Sequence, residues 1–283
     1  MIKIGLTGWG DHPTLYDVRS KYRLTDYSSF FPVVEHDATF YAIPSASSVT
    51  KWLNETPASF QFIVKAYQGM TGHLPKEESP YQSVSEMFEQ FRLAMTPMKE
   101  AGKLAFILFQ FPPWFVCNET NARVLYYIRK QYPTWPVAVE FRHESWFQPF
   151  CRGRTLATLK QLQFIHTICD EPQVGEKCVP RLLDVTNEQV AFFRFHGRHE
   201  EGWENKFPTK EMWRKVRYLY NYSEEELQQL AKEIEEVNTR VETTYVIFNN
   251  NSGHHAASNA QRMQQILNIT YDNLASQQLN LFD

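Results

Sequence analysis

The chain has 283 residues and a formal net charge of -3, with acidic and basic side chains nearly balanced. That length holds one large α/β domain or two ordinary ones. The balance argues against a protein that coats nucleic acid by bulk charge, while leaving local basic patches open. Cys117, Cys151, Cys169 and Cys178 show no C-x-x-C spacing, so neither a disulfide framework nor a structural zinc site is expected. Met1-Ile-Lys-Ile-Gly enters a strand at once without an apolar signal segment, and no run is long enough to cross a bilayer. The expectation is a reduced, cytoplasmic protein without a membrane partner.

Residues 2–8 form a short apolar run that ends in Gly8-Trp9-Gly10, a strand followed by a turn. A second strand is predicted over 33–37. Ser45 can cap a helix that runs through Trp52 and Leu53. Residues 60–65 are a third strand. Val84, Met87, Phe88, Phe91 and Met95 keep helical spacing. Residues 104–110 are a very apolar fourth strand, stopped by Pro112-Pro113. Asn118 opens a helix carrying Val124, Leu125 and Ile128. The fifth strand, over 137–143, begins apolar and ends in charge. A sixth, over 164–170, closes at Glu171-Pro172, and a seventh covers 192–197. Ser223 and Glu226 have capping-box spacing ahead of the stripe Leu227, Leu230, Ala231, Ile234 and Val237. An eighth strand covers 245–249, and 256–267 is the last helix.

About eight strands alternating with helices predict a single parallel (β/α)8 TIM-type barrel over residues 1–270, with a tail over 271–283. The long connection 197–222, after the seventh strand, is predicted to be an insertion, either a lid or a binding segment.

Barrels of this type build their sites at the C-terminal strand ends. Here those ends carry Trp9, Glu35 with Asp37, Lys65, Gln110, Glu140 with Arg142, Asp170, Arg194 with His196, and Asn249 with Asn250. Glu140 and Arg142 share one face by strand alternation, as do Arg194 and His196. Glu35, Glu140 and Asp170 are candidate general acids or bases, with His196 as proton donor. Lys65, Arg142 and Arg194 suit a phosphate or another anion. Asn249 and Asn250 open a loop into a helix N-terminus, where such barrels often hold phosphate. Trp9, Tyr41 and Trp146 are candidate stacking platforms for a base or sugar. No organic cofactor is expected. A catalytic metal is not favoured, since cations crowd the site and no H-x-H or H-x-x-x-H spacing occurs. Basic and aromatic residues interleave along the insertion at Trp203, Lys206, Lys210, Trp213, Arg214, Lys215 and Arg217, which fits a solvated face or a nucleic-acid contact.

Several motifs fall in a familiar order: Val33-Val-Glu35 with Thr39-Phe-Tyr41, Val64-Lys65, Phe109-Gln-Phe-Pro-Pro113, Val139-Glu-Phe-Arg-His143 with Trp146, Arg194-Phe-His-Gly197, and Phe248-Asn-Asn250 with Asn259-Ala260. As a set they resemble the YecE-like proteins, domain of unknown function family 72, over residues 5–267. The resemblance implies a TIM-type barrel and no particular reaction. The 197–222 insertion and the paired His254-His255 depart from the family's plainer pattern.

The expected function is a phosphate- or anion-binding barrel in nucleic-acid metabolism, a hydrolase or lyase at a phosphodiester or glycosidic bond, with a phosphorylated ligand or DNA as partner. The alternatives are an enzyme of a small phosphorylated sugar or nucleotide, and a non-catalytic DNA-associated adaptor. In the tail, Gln278-Leu279-Asn280-Leu281-Phe282 resembles the peptide by which bacterial DNA-replication and repair proteins dock on the sliding clamp. Gln278 supplies an orienting amide, and Leu279, Leu281 and Phe282 are apolar anchors.

Overall fold

The computed structural model describes residues 1–17, 19–204 and 207–276, with backbone alone at 210, 214 and 215. Eight parallel strands close into a barrel in sequence order. They are β1 (Ile2–Thr7), β2 (Val33–His36), β3 (Gln61–Lys65), β4 (Leu104–Gln110), β5 (Val137–Glu140), β6 (Ile165–Asp170), β7 (Val190–Phe195) and β8 (Thr243–Phe248). β8 pairs back onto β1, with Leu6 opposite Phe248.

The strands are apolar on both faces because both are covered. Alternation sends Val33, Ile63, Phe106, Leu108, Ala138, Ile165, Phe192, Tyr245 and Ile247 into the barrel, where they form their own packed cluster. Their neighbours, such as Ile4, Val34, Ile107, Val139 and Phe193, belong to the larger core under the helices. One register shift interrupts the ladder, between Phe62 and Ile63 against β4.

The helices begin where the sequence places their caps. Ser45, Ser83 and Asn118 each accept a backbone N–H at a helix start, and Ser223 with Glu226 completes the capping box. The Pro149–Gln161 helix is absent from the sequence-based prediction. Its only buried residues are Thr155 and Leu159, so its apolar stripe is faint. β5 ends at Glu140, three residues earlier than predicted, and β6 reaches β7 without an intervening helix.

The 197–222 insertion carries two short helices, Glu200–Glu204 and Lys210–Arg217. The Trp213 Nε1–H donates to the Gly202 carbonyl at 2.7 Å, and the Trp203 Nε1–H donates to the Lys177 carbonyl at 3.2 Å. The insertion thereby folds over the end of the barrel where β6 and β7 finish. Beyond the last helix, His255–Ile266, the chain returns to the barrel wall. The Tyr271 hydroxyl accepts the Ile4 N–H at 2.8 Å, and the Ala275 N–H donates to the Ser28 carbonyl at 3.0 Å. Gln278, Leu279, Leu281 and Phe282 lie outside the described residues. Among the described residues, no helix is long and apolar enough to cross a membrane.

Barrel closure leaves no room at Gly5, where an added Cβ would sit 2.2 Å from the Val33 carbonyl oxygen. That oxygen is backbone of the paired strand and cannot move without parting β1 from β2. Gly5→Ala should therefore cost about 3 kcal/mol or more, measured by urea denaturation; a variant as stable as the parent would contradict this account of the closure.

Candidate active site at the barrel mouth

The same alternation that fills the barrel with apolar side chains ends, one layer higher, in polar ones. Register places Thr7 beside Glu35, Gln110 beside Glu140, and Cys169 beside Arg194. Arg194 is 1% exposed and reaches across this layer. Its Nε and Nη2 donate to the two carboxylate oxygens of Glu35 at 2.7 and 2.5 Å. Its Nη1 donates to Glu140 Oε2 at 2.6 Å and to Gln110 Oε1 at 3.2 Å. Arg142, just past β5, lies 2.5 Å from Glu140 Oε1 and donates to Glu171 Oε2 at 2.8 Å. The His196 ring fits between them. Its Nε2 is 3.0 Å from an Arg142 nitrogen and 3.6 Å from Glu140, and its Nδ1 is 2.9 Å from the Asn249 side-chain amide.

Three carboxylates thus face two guanidinium groups, all buried. Burial works against Glu140, but Arg142 and Arg194 outweigh it and hold its carboxyl well below the usual range. The outer two carry the surplus charge. Burial pushes Glu171 up to about 7 against the pull of Arg142, and pushes Glu35 up to about 7 against Arg194. One proton near neutrality balances the layer. His196 goes the other way: burial, then Arg142 and Arg194, keep it neutral, so it is no imidazolium donor at pH 7. It positions Arg142 and Asn249 instead.

Over this layer the insertion makes a cap. The Arg142 guanidinium lies 5.3 Å from the Trp203 ring, and the Tyr218 ring is 6.1 Å from His196. Arg217 stacks on Trp203 at 4.3 Å. The Tyr218 phenol is driven up by burial, yet Arg217, Arg142, Lys65 and Arg194 prevail and bring it below its ordinary value. Beside the cap runs an aromatic rim. Lys65 Nζ sits 4.7 Å over Phe40 and 3.3 Å from Asp37, whose side chain is 37% exposed. His73 packs edge-on to Phe40 and Trp114, and burial, Lys65 and Arg142 bring it down to about 4.

Of the residues predicted from sequence, Glu35, Glu140, Arg142, Arg194, His196 and Asn249 come together directly, with Lys65 at their edge. Arg194 spends every nitrogen on Glu35, Glu140 and Gln110, and Arg142 spends both terminal nitrogens on Glu140, Glu171 and His196 and leaves only its buried Nε unpaired, so an anion could take either terminal fork only by displacing one of these partners. Asp170 is elsewhere. It points out from the barrel, because Thr167 and Cys169 occupy the inward parity of β6, and it is clasped by Arg181, by Arg198 at 3.0 Å and by the Tyr222 hydroxyl at 2.7 Å. That network ties the insertion to the wall. The Asn250 amide donates to the Tyr220 carbonyl at 2.9 Å and to Asn259 at 2.8 Å, a structural use of its N–H groups. Trp146 is 2% exposed and stacked against Phe141 at 4.2 Å and Phe115 at 5.4 Å, with no face open to a ligand. Trp9 lies half-buried on His36 at 4.5 Å. Tyr41 is 60% exposed at the rim.

Sequence reasoning misses Glu171, Tyr218 and Cys169. For Glu171 and Cys169 the inward parity of residues 165, 167, 169 and 171 was an available signal; for Tyr218 there was none. Glu140, Cys169 and His196 offer ligand atoms within 4.8 Å of one another. Both Glu140 oxygens are held by guanidinium groups, so a cation there would have to displace one of them. A cleft of about 550 Å³ opens at the opposite end of the barrel, lined by Arg129, Trp135, Lys160 and Asn187. In that cleft Arg129 is spent on the backbone carbonyls of Tyr132, Trp135 and Leu162, and the Asn187 amide on that of Gln163.

The molecule is a TIM-type (β/α)8 protein with a candidate active site at the C-terminal mouth. Residues 3–280 match the family model described as protein of unknown function DUF72, and the chain belongs to that family. It is 48% identical to the UPF0759 protein YunF of Bacillus subtilis (strain 168) over the whole of both chains. It is 27% identical to the UPF0759 protein YecE of Escherichia coli (strain K12) over 52% of this chain and 50% of that one. A crystal structure of a DUF72 family protein from Enterococcus faecalis V583 superposes with a TM-score of 0.92 at 38% identity, covering 99% of this chain and all of that one. Another, from Thermotoga maritima MSB8, gives 0.81 at 33% identity, covering 95% of this chain and all of that one.

The charged layer should be felt in stability. Arg194→Ala strands the buried Glu35 carboxylate and leaves Glu140 with Arg142 alone, and should cost about 3–5 kcal/mol, or prevent folding, in urea denaturation. Glu171 has a folded value raised above its unfolded one, so its contribution to stability is fully present below pH 4.5 and is lost as pH rises toward 7. The stability of Glu171→Gln relative to the parent should therefore climb across that window; urea melts at stepped pH that show a constant difference would refute it.

Proposed function

We propose that the chain is an enzyme of a small phosphorylated sugar or nucleotide, bound at the barrel mouth and turned over by general acid–base catalysis, as a hydrolase or lyase. The observation that carries this reading is the set of four cations around the Tyr218 phenol, Lys65, Arg142, Arg194 and Arg217, beneath a rim of Phe40, His73 and Trp114. A half-buried phenol whose proton is loosened sits in a positive field, and an anionic group entering there would meet the same field. Lys65 is paired with a single carboxylate that is partly exposed, so a phosphoryl group could replace or join that partner. The rim aromatics would pack the apolar face of a sugar or base. Tyr218 would exchange a proton with the substrate, and Glu35 and Glu171, each raised to about 7 chiefly by burial, would make the floor of the site a second reservoir.

The cap favours a small ligand over a polymer, because Trp203 and Tyr218 stand where a duplex would have to pass. A second reading, a DNA-linked role through the sliding clamp, is favoured by one specific feature, the Gln278-Leu279-Asn280-Leu281-Phe282 sequence. Nucleic-acid metabolism accommodates both, and titrations separate them. Isothermal titrations with ribose 5-phosphate, AMP and a single-stranded DNA oligomer should show saturable binding of a monophosphate with little response to salt. Lys65→Ala should weaken it at least tenfold, about 1.4 kcal/mol, while Tyr218→Phe should bind unchanged and lose turnover. DNA binding that falls steeply with salt, with no monophosphate bound, would sink the small-ligand reading. A labelled peptide of residues 271–283 titrated with a bacterial sliding clamp, with a Leu281→Ala, Phe282→Ala control, tests the second.

A further inference from the structure

Cys117 and Cys151 are far apart in sequence and both half-buried, yet their Sγ atoms lie 2.6 Å apart. A disulfide bond is about 2.05 Å long, so the two sulfurs stand roughly half an ångström from bonding distance. Both backbones are anchored. The Cys117 N–H donates to Ser145 Oγ at 2.8 Å, one residue before the Asn118 helix cap. The Cys151 N–H donates to the Gln148 carbonyl at 2.9 Å in the first turn of the Pro149–Gln161 helix. Neither sulfur belongs to the charged layer of the mouth. Burial, and then Cys151 itself, push the Cys117 thiol up to about 12, outweighing the opposite pull of Arg154 and of a hydrogen bond with Thr155.

We propose that Cys117 and Cys151 are a reversible dithiol–disulfide pair, oxidised by a low-molecular-weight disulfide. One cysteine thiolate attacks that disulfide, forming a mixed disulfide and expelling the first small thiolate. The second cysteine, deprotonated, attacks the protein sulfur of the mixed disulfide, closing the Cys117–Cys151 bond and expelling the second. The two protons lost by the cysteines end on the two released thiols, and the small disulfide is the species reduced. The bond would fasten the loop after β4, which carries Trp114 to the rim of the mouth, onto the helix after β5. This inference is independent of the proposed substrate.

The test equilibrates the whole protein in buffers of graded reduced-to-oxidised glutathione ratio, quenches in acid, and alkylates under denaturing conditions. As oxidant rises, two of the four cysteines should become unreactive, in a monomer two hydrogens lighter, with a tryptic crosslink joining Cys117 to Cys151. Dithiothreitol should restore all four. Cys117→Ser, checked for an unchanged melting curve, should instead trap glutathione on Cys151. The parent protein alone decides the matter if that variant folds poorly. Four alkylated cysteines at every ratio, a crosslink to Cys169 or Cys178, or covalent dimers would overturn the proposal.

Discussion

Arg194 is the interaction on which the barrel mouth depends. One guanidinium spans the layer, taking both oxygens of Glu35 from β2 and one oxygen of Glu140 from β5. Every donor it uses is charge-assisted and buried, where desolvation of each ion costs several kcal/mol unless the partner is well placed. The geometry meets that condition because strand register, not side-chain flexibility, sets the positions. Glu35 and Arg194 are the inward residues at the ends of their strands, and a slip of one residue would turn either out of the barrel.

The arrangement has a direction. Its floor holds more carboxylate than guanidinium, so it keeps a proton. Its rim, where Lys65 and Arg217 face the Tyr218 phenol, is positive. Opposite fields over so short a distance survive only because the layer is dry, where charges act at several times their strength in water. A ligand that is anionic at one end and exchanges a proton at the other would match both.

Much of this is legible in the sequence, and the physical reason is periodicity. Strand alternation by itself puts Glu140 with Arg142 and Arg194 with His196 on shared faces, and apolar runs mark all eight strands. The reading goes astray where position at a strand end is taken for orientation. Asp170 ends β6 but faces outward, while Cys169 and Glu171 on either side of it face the layer. It is silent where contacts are made by loops. The stack of Phe111, Phe115, Phe141 and Trp146 joins residues from two connections, with rings as close as 3.9 Å, and no local spacing announces it. Tyr218 is hidden likewise, since an insertion without a clear period carries it. Cysteine spacing in sequence said nothing of the contact between Cys117 and Cys151, which two separate connections create.

The charged layer is not what closes the barrel. The inward apolar residues below it, from Val33 to Ile247, make a continuous core, and barrels of this type ordinarily fill such layers with branched apolar side chains. Replacing a buried ion network by well-packed apolar groups is often neutral or stabilising, so stability alone gives no reason for five buried charges at this level. Nor does solubility, since water does not reach them. The other buried network, around Asp170, has a plain structural use in holding the insertion to the wall. The mouth cluster does not fasten a loop: Glu35, Glu140 and Arg194 reach across the barrel between β2, β5 and β7, which the closed ladder and the apolar layer beneath already hold in place. What distinguishes it is that its surplus proton, its neutral His196 and its loosened phenol all lie under one cap, at the end of the barrel where loops rather than strands decide what enters.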